Sequence, residues 1–402
     1  MIESGVASFV ILLISAVVVA MLVKRLPIPY VTALAAVGAA GGALIGAHRL
    51  HLDHSLILFV LVPGLLFEAA FNLDWKHLRD NLLAVIALAT LGVLVTAAVV
   101  SALGHFALGL SVAVAILFGA MVSPTDPVAV VAVFRRLGVP RRLANLVESE
   151  SLFNDGTGVV LFTIALAATT TTVSPWIGAL QFLELVAGGI ALGLAIGFVL
   201  SRLLARIDDP QVEITITAIA AYGGYLLGES LHVSGLLTVV AAGLVLGNYG
   251  RPRAMSERTR SAVSVFWDYV AFVLNSVVFL LIGADAPWSI LASQIWVVLA
   301  AFVAVLAARA VSIYGLLAVL RPFGRRVNLR WQHLIFWSGL RGAIAIALLL
   351  SLTKTGSEFD TVRALVYGVV LISIVIQGLT IGPLARIVLP HGGVAQDEAA
   401  AG

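Results

Sequence analysis

The sequence predicts an all-α polytopic membrane protein, and its composition and the length of its apolar stretches both support that class. Of its 402 residues, 61% are hydrophobic and 11% are charged, and the mean hydropathy is +1.08. Soluble domains have about 45–50% apolar and about 25% charged residues, so a soluble protein is excluded. Apolar stretches of about 20 residues recur along the chain, which favours helices over the short alternating strands of a barrel.

Thirteen transmembrane helices are predicted from these stretches. Their approximate ranges are 5–25, 28–47, 54–72, 80–103, 108–134, 145–168, 177–203, 211–231, 233–248, 262–283, 286–318, 331–352 and 362–388. No basic residue precedes the first stretch, so we expect a retained span rather than a cleaved leader. The Thr169–Thr172 run is expected to form a short loop, and the tail after Leu389 is small and polar.

The positions of the basic residues predict the topology. Of the 24 lysines and arginines, only Arg49, Lys354 and Arg363 fall in even-numbered connections, and only Arg309 and Arg341 fall inside spans. The rest lie in odd-numbered connections or at the C-terminal end. Basic loops stay in the cytoplasm, so we expect an external N-terminus and a cytoplasmic C-terminus. The net charge of +3 therefore reflects topology and does not indicate nucleic-acid binding.

Residues 147–158, VESESLFNDGTG, place acids in an otherwise apolar helix. A charge at mid-bilayer costs about 2.5–3.5 kcal/mol on insertion scales, and such charges usually line pathways or pair with one another. With Glu150 at 0° on a helical wheel, Asn154 lies near about 40°, Ser151 near about 100° and Asp155 near about 140°. We therefore predict one polar sector.

Leu152 and Phe153 are expected to point away from that sector. Asp155 lies about 20 Å along the helix from Arg142, which predicts a position deep in the membrane, whereas Glu148 lies closer to the cytoplasmic end. Such hard oxygen ligands suit a hydrated alkali cation or a proton rather than zinc or copper. The alternative is an ionic network that only fixes helix packing. Transport is favoured because Asp155 has no basic residue nearby in sequence.

The segment Ser123-Pro124-Thr125-Asp126-Pro127 lies inside the fifth span. Proline removes a backbone donor and clashes with the preceding turn, so two prolines should open the helix and free carbonyls such as that of Thr125. Irregular backbone at membrane depth is tolerated where it lines a cavity or is buried in protein, and freed carbonyls there can bind cations. The alternative is a simple proline kink, and Asp126 between the prolines favours the site.

The segment Trp337–Ile344 places Arg341 between two glycines in the twelfth span. Glycine permits close helix crossing and local unwinding. Because a guanidinium does not release its proton, Arg341 is interpreted as a fixed structural charge that offsets the negative ends of half-helices. Arg309 also receives a structural role, with Glu150 as its predicted partner. Glu68 in the third span is interpreted as a protonated, hydrogen-bonded packing residue.

Helix counting predicts an internal duplication. The broken fifth span precedes the acid-bearing sixth, as the Gly-Arg-Gly twelfth span precedes the thirteenth. An offset of seven spans is odd, so the two copies would be inverted in the membrane. Spans 1–6 and 8–13 would form two six-helix repeats with the seventh as linker.

Three motifs in order resemble those of the cation–proton antiporters of the NhaP/NHE branch, the electroneutral Na⁺/H⁺ exchangers. They are SPTDPVAV at 123–130, ESLFNDGTG at 150–158 and GLRGAI at 339–344; LLFEAAFNL at 65–73 and Arg309 also fit. By this resemblance Asp155 is the cation- and proton-binding carboxylate, with Asn154 as its neutral partner. The other cation contacts would be Asp126, the Thr125 carbonyl, Glu150 and Ser151. Arg309 would pair with Glu150.

The resemblance also implies a homodimer in which two subdomains slide against each other. The core subdomain would comprise approximately 80–168 and 286–388, the dimer subdomain approximately 5–72 and 211–283, and the linker helix 177–203. The chain lacks the family's large cytoplasmic tail, which puts regulation by such a tail in doubt.

The predicted function is secondary active antiport of Na⁺ (or Li⁺) for H⁺, electroneutral and by alternating access, with both ions competing for Asp155. K⁺/H⁺ exchange is the alternative, and a cation channel or an intramembrane protease is disfavoured. The sequence shows no Gly-x-Gly-Asp or Gly-x-Ser-Gly motif. We expect a transporter without enzymatic activity or cofactor, in contact with membrane lipids. The excess of arginine over lysine suggests a bacterial protein, which would lie in the plasma (inner) membrane and serve pH homeostasis.

Overall fold

The computed structural model describes residues 2–24, 28–45, 57–169, 174–322, 327–352 and 356–389, and these residues contain helices and connections but no strand. Several positions discussed above lie outside the described residues, namely Arg49, Lys354, Thr170–Thr172 and the tail after Leu389. So do three residues of the basic odd-numbered connections, Arg25, Arg325 and Arg326.

The helices are numbered in chain order. They are α1 (Ile2–Val23), α2 (Tyr30–Ile45), α3 (Ile57–Asn72), α4 (Trp75–Asp80), α5 (Leu82–Phe106), α6 (Val112–Val122), α7 (Val128–Leu137), α8 (Arg141–Ala168), α9 (Pro175–Leu204), α10 (210–230), α11 (235–254), α12 (Glu257–Ala284), α13 (Trp288–Ser293), α14 (Ile295–Leu320), α15 (Leu329–Trp337), α16 (Ala343–Leu350) and α17 (Glu358–Val388).

Each apolar stretch of the sequence coincides with one helix or with two consecutive helices. The fifth stretch corresponds to α6 and α7, the eleventh to α13 and α14, and the twelfth to α15 and α16. Six helices in the described part of the chain are long and apolar enough to cross a membrane by length and composition, namely α5, α8, α9, α12, α14 and α17. The helical membrane architecture predicted from composition is therefore confirmed.

Short polar residues fix where several helices begin. The side chains of Asp209, Ser234, Ser256 and Asn328 accept hydrogen bonds from backbone amides in the first turns of α10, α11, α12 and α15. These amides have no partner within the helix, so a capping oxygen stabilises the helix start. Glycine ends α7 in a different way. At the C-terminal end of that helix, Gly138 adopts φ 66°, a left-handed conformation that favours glycine.

The helices pack in two groups. One contains α5–α8 and α14–α17, with α5 against α6 and α14, α8 against α6, and α14 against α17. The other contains α1–α3 and α9–α12, with α2 along α12, α9 along α11, and α3 against α11. Helix α8 touches both groups because it also contacts α9 and α11. The acid-rich helix therefore lies at the boundary between them.

Five of the apolar helices contain a π-helical turn within the described residues, which the sequence pattern did not predict. These turns are Ile57–Leu61, Leu88–Gly92, Ile219–Gly223, Leu246–Gly250 and Ser373–Gln377. A π-turn frees backbone groups from the regular helical ladder and is frequent at functional sites. One of them, Ser373–Gln377, contacts an unwound segment that is described next.

Candidate functional site

Two interrupted helices meet at the centre of the first group. Residues 123–127 separate α6 from α7, and residues 338–342 separate α15 from α16. The backbone amide of Asp126 donates a 2.8 Å hydrogen bond to the carbonyl of Leu340, so the two breaks contact each other directly. The opening that the proline pair predicted is present, and the glycine-flanked segment is also unwound.

Asp126 lies between the N-terminal ends of two half-helices. Its carboxylate accepts a 3.0 Å hydrogen bond from the amide of Val128 at the start of α7. It also accepts one from the amide of Ala343 at the start of α16. Both ends carry a partial positive charge, which stabilises an acid there. A Cβ atom on Gly342 would overlap the Asp126 carboxylate, so this close approach requires glycine.

Asp155 faces a small cavity next to this crossing. The cavity has a volume of about 70 Å³, and Thr125, Asp126 and Glu148 also line it. The Asp155 side chain is buried, and no hydrogen bond or ion pair to its carboxylate occurs within the described ranges. The charges that act on it most strongly are Asp126 and Glu150, which are both acidic. A buried acid without a basic partner is stable only when a proton or a cation neutralises it.

Glu150 lies on a different side of α8 and belongs to an ion pair. Arg309 of α14 donates hydrogen bonds of 2.6 and 2.8 Å to its two carboxylate oxygens, and a third of 3.2 Å to the carbonyl of Ile335. Both charged residues are almost fully buried. The predicted partners are thus in contact. A Cβ atom on Gly339 would lie 2.7 Å from Nε of Arg309, so this glycine provides room for the guanidinium.

Asn154 connects Glu150 to the broken helix. Its amide nitrogen donates to Glu150 Oε1 at 3.0 Å and to Thr125 Oγ1 at 2.8 Å. Its amide oxygen accepts from the backbone amide of Thr125 at 3.1 Å. The hydroxyls of Thr125 and Ser151 lie 2.9 Å apart. These contacts fix the unwound backbone of residues 123–127 against α8.

The single polar sector predicted for α8 is therefore divided. Asp155 lines the cavity together with Leu152, which the helical wheel had placed elsewhere, whereas Glu150 and Ser151 do not line it. The polar side chains between them pack against the broken helix. The polar residues of α8 therefore face two different neighbours rather than one pore.

The two other acids lie to one side of this centre. Glu148 forms a 3.5 Å ion pair with the exposed Arg135 of α7, and its side chain is 15% exposed. Glu68 accepts a 2.7 Å hydrogen bond from Asn72 and is half-buried, as expected for a packing residue.

Arg341 is 1% exposed, and its guanidinium makes no hydrogen bond within the described part of the chain.

Sequence reasoning missed three polar residues that contact the site. Asn275 of α12 lines the cavity from the other helix group, and its amide oxygen is buried without a partner in the described structure. Ser373 accepts a 3.0 Å hydrogen bond from the amide of Arg341, and Gln377 donates one of 3.0 Å to the carbonyl of Trp337. Both belong to the π-turn of α17. The sequence signal for Ser373 and Gln377 was that these two polar residues lie four apart, on one face of an otherwise apolar helix.

Comparison with known proteins identifies relatives along nearly the whole chain. The profile of the family described as "sodium/hydrogen exchanger, transmembrane" matches residues 11–387. The low-affinity Na⁺/H⁺ antiporter NhaS1 of Synechocystis is 39% identical over 390 residues, which cover 94% of this chain and 74% of that protein. The Na⁺/H⁺ antiporter NhaP of Pseudomonas aeruginosa is 38% identical over 353 residues, covering 83% and 82% respectively.

The fold has a counterpart among solved structures. The sodium proton antiporter MjNhaP1 from Methanocaldococcus jannaschii at pH 8 superposes with a TM-score of 0.78, at 22% sequence identity, over 97% of this chain and 100% of that one. At this identity the likeness establishes the fold.

Proposed function

Because the chain belongs to the sodium/hydrogen exchanger family, we propose that it is a secondary active antiporter that exchanges Na⁺ (or Li⁺) for H⁺ across the membrane. The observation that carries this proposal is the position of Asp155, a buried carboxylate that faces a cavity and has only acids as close charged neighbours. The site has no need of a cofactor, since the transported ions themselves provide the neutralising charge.

We propose that one site serves both ions by competition. With Na⁺ bound, Asp155 is ionised and its charge is matched; without Na⁺, it is protonated and neutral. Either form can cross a hydrophobic barrier, whereas a bare carboxylate would lose its hydration without compensation. Uncoupled movement is therefore forbidden. One proton per monovalent cation makes the cycle electroneutral.

The residue roles follow from which side chains reach the cavity. Asp155, Asp126 and Thr125 line it and are the proposed cation contacts. For Glu150 and Ser151 we propose a supporting role instead of the direct contact that the resemblance implied, because Arg309 occupies both oxygens of Glu150 and Ser151 contacts Thr125.

The finer architecture is part of the same proposal. The thirteen predicted spans would form two inverted repeats, with the two breaks in equivalent positions. The helix group of α5–α8 and α14–α17 would be the sliding core, and that of α1–α3 and α10–α12 the dimer subdomain, with α9 as linker. We further propose a homodimer in the plasma membrane, oriented with its basic connections in the cytoplasm.

Na⁺ is favoured over K⁺ as the exchanged ion because the curated relatives described above are named as Na⁺/H⁺ antiporters. A channel would also use buried acids and broken helices, but its cation flux would continue without an opposing proton flux. The two classes therefore differ in coupling, which can be measured directly.

Proteoliposomes that contain a pH-sensitive dye test the proposal. Addition of Na⁺ or Li⁺ should dissipate an imposed proton gradient, K⁺ should do so far less, and the membrane potential should have little effect. Asp155→Asn should abolish exchange and Asp126→Asn should weaken it, whereas the exposed Glu257→Gln should exchange normally. Exchange by correctly folded Asp155→Asn protein would refute the assignment.

A further inference from the structure

A second cavity, of about 740 Å³, lies behind the helix that carries Asp155. Phe153 and Thr157 of α8 line it, and each is two residues from Asp155, which places them about 160° around the helix from the ion-binding face. Helix α5 contributes to the same wall. The opposite wall comes from α9 and α11. We call this cavity the rear crevice.

The rear crevice is apolar along most of its length. Ile86, Ile190, Leu194, Leu237 and Leu244 are among its lining residues. Apolar cavities disfavour water, which needs two to four polar partners. Only 17% of the apolar window in Trp176–Leu204 is buried, so α9, which forms one wall, is largely open to the surrounding hydrocarbon of a membrane. The chemistry that fits such a crevice is an acyl chain.

One end of the rear crevice is polar and basic. Arg253 lies there with its guanidinium carbon 4.6 Å from the ring centre of Tyr249, and Tyr249 packs edge-on against Phe198 at 5.3 Å. Asn248 holds this end together, since it accepts a 2.9 Å hydrogen bond from the amide of Trp75 and donates one of 2.9 Å to the carbonyl of Leu73. Arg253 is exposed and has no ion pair in the part of the chain that the structure describes.

We propose that the rear crevice binds an anionic phospholipid, with one acyl chain between the two helix groups and the phosphate beside Arg253. Tryptophan and tyrosine prefer the level of the lipid headgroups, and basic residues at the cytoplasmic surface attract anionic lipids. Trp75, Tyr249 and Arg253 lie together at one end of the crevice. This end would contact the lipid headgroup, and the apolar part beyond it would hold the acyl chain. A zwitterionic lipid such as phosphatidylcholine would also place a phosphate beside Arg253, but its choline cation offsets part of the attraction, so an anionic lipid is preferred.

The location gives the lipid a means of acting on transport. It would contact the back of α8 at Phe153 and Thr157, on the boundary that separates the two helix groups. A chain that occupies this boundary must move or deform if the groups slide. This consequence rests on the proposed function, whereas lipid binding does not.

Native mass spectrometry of the full-length protein tests binding without any transport measurement. Protein from phosphatidylcholine vesicles that contain phosphatidylglycerol should retain phosphatidylglycerol in preference to phosphatidylcholine. Arg253→Gln should reduce that retention about fivefold, as expected for the loss of one basic residue near a lipid headgroup. Arg258→Gln, at an exposed arginine in the first turn of α12 that does not line the crevice, is the matched control and should change nothing.

Two further measurements separate chain binding from simple charge attraction. Ile190→Trp, which fills the crevice from a half-buried position, should lower the retention of both lipids without altering the surface charge. Glycerol phosphate, which has no acyl chain, should not displace the lipid. Equal retention by the wild type, Arg253→Gln and Ile190→Trp would overturn the proposal, as would displacement by glycerol phosphate alone. Neither result would affect the assignment of Asp155.

Discussion

Arg309 donates hydrogen bonds of 2.6 and 2.8 Å to both carboxylate oxygens of Glu150, and the pair joins α14 to α8 five residues before Asp155. Two charges buried in this way lose their hydration, and only bidentate geometry with additional hydrogen bonds offsets that cost. Asn154 and the carbonyl of Ile335 provide those bonds. The pair thus sets the rotation of α8, which determines whether Asp155 faces the cavity.

Arg309→Ala should mainly reduce stability. Removal of one member of a buried pair leaves an uncompensated charge and typically costs about 3–5 kcal/mol. Thermal unfolding in detergent should show a large decrease in Tm, whereas the exposed Arg330→Ala should unfold like the wild type. The double variant Arg309→Met/Glu150→Gln, which removes both charges, should recover much of the loss. A single Arg309→Ala variant with unchanged Tm would contradict the structural role.

Asn154→Asp should destabilise the protein at high pH more than at low pH. The new carboxylate cannot donate to Glu150, and the lost hydrogen bond to a charged group costs about 2 kcal/mol. Protonation of the introduced carboxylate restores a donor, so the deficit in Tm should shrink as pH falls. Asn145→Asp is the matched control on the same helix, because the side chain of Asn145 accepts a hydrogen bond from Ser149 and a carboxylate can do the same. A deficit independent of pH would exclude this explanation.

Gly342→Ala should abolish exchange and lower stability, because a Cβ atom there would overlap the Asp126 carboxylate. The strain must displace either Asp126 or the unwound segment 338–342, and both belong to the proposed site. Gly315→Ala is the control. Gly315 lies inside α14 with nothing within 4 Å of an added Cβ, so alanine should raise stability slightly, by up to about 1 kcal/mol. Normal exchange by Gly342→Ala would show that the close contact is dispensable.

Asn275→Leu should weaken Na⁺ binding with little effect on stability. The Asn275 amide oxygen is buried without a partner in the described structure and lines the cavity of Asp155, so it is placed to accept a cation or its water. Loss of one such contact, worth about 1 kcal/mol, should raise the KM for Na⁺ about fivefold and leave the maximal rate nearly unchanged. Tyr269→Leu, at an exposed position of the same helix, should leave KM unaltered. An unchanged KM in Asn275→Leu would remove this residue from the ion path.

Much of the fold was predictable because a membrane imposes strong constraints on sequence. Apolar runs located the helices, and the helical break at Pro124 and Pro127 follows from proline geometry. The contact of Arg309 with Glu150 was predictable because a charge in an apolar span needs a partner. Each of these features follows either from the composition of one segment or from the general requirement that a buried charge be paired.

The division of the polar face of α8 was not predictable, because it depends on which helices surround it. A helical wheel gives directions but no neighbours, so the wheel alone could not assign Leu152 and Asp155 to one cavity or exclude Glu150 from it. The contributions of Ser373 and Gln377 were missed for the same reason, since their roles arise from a π-turn that meets a distant unwound segment. Asn275 belongs to the other helix group, and only packing brings it to the cavity.

The apparent affinity for Na⁺ should depend on pH in a way that a single shared carboxylate dictates. If one proton and one Na⁺ compete for Asp155, a decrease in pH protonates more of the empty sites and raises the apparent KM for Na⁺. Where most empty sites are protonated, the KM should rise about tenfold for each unit of decrease in pH, because each site takes one proton. The maximal rate at saturating Na⁺ should change much less over the same range, since saturating Na⁺ displaces the proton.

Initial rates in proteoliposomes at several pH values and Na⁺ concentrations measure both quantities, with Glu257→Gln as a control for surface charge. A KM that is independent of pH would contradict competition for Asp155, and a slope that requires two protons per site would show that a second group, such as Asp126 in the same cavity, shares the titration.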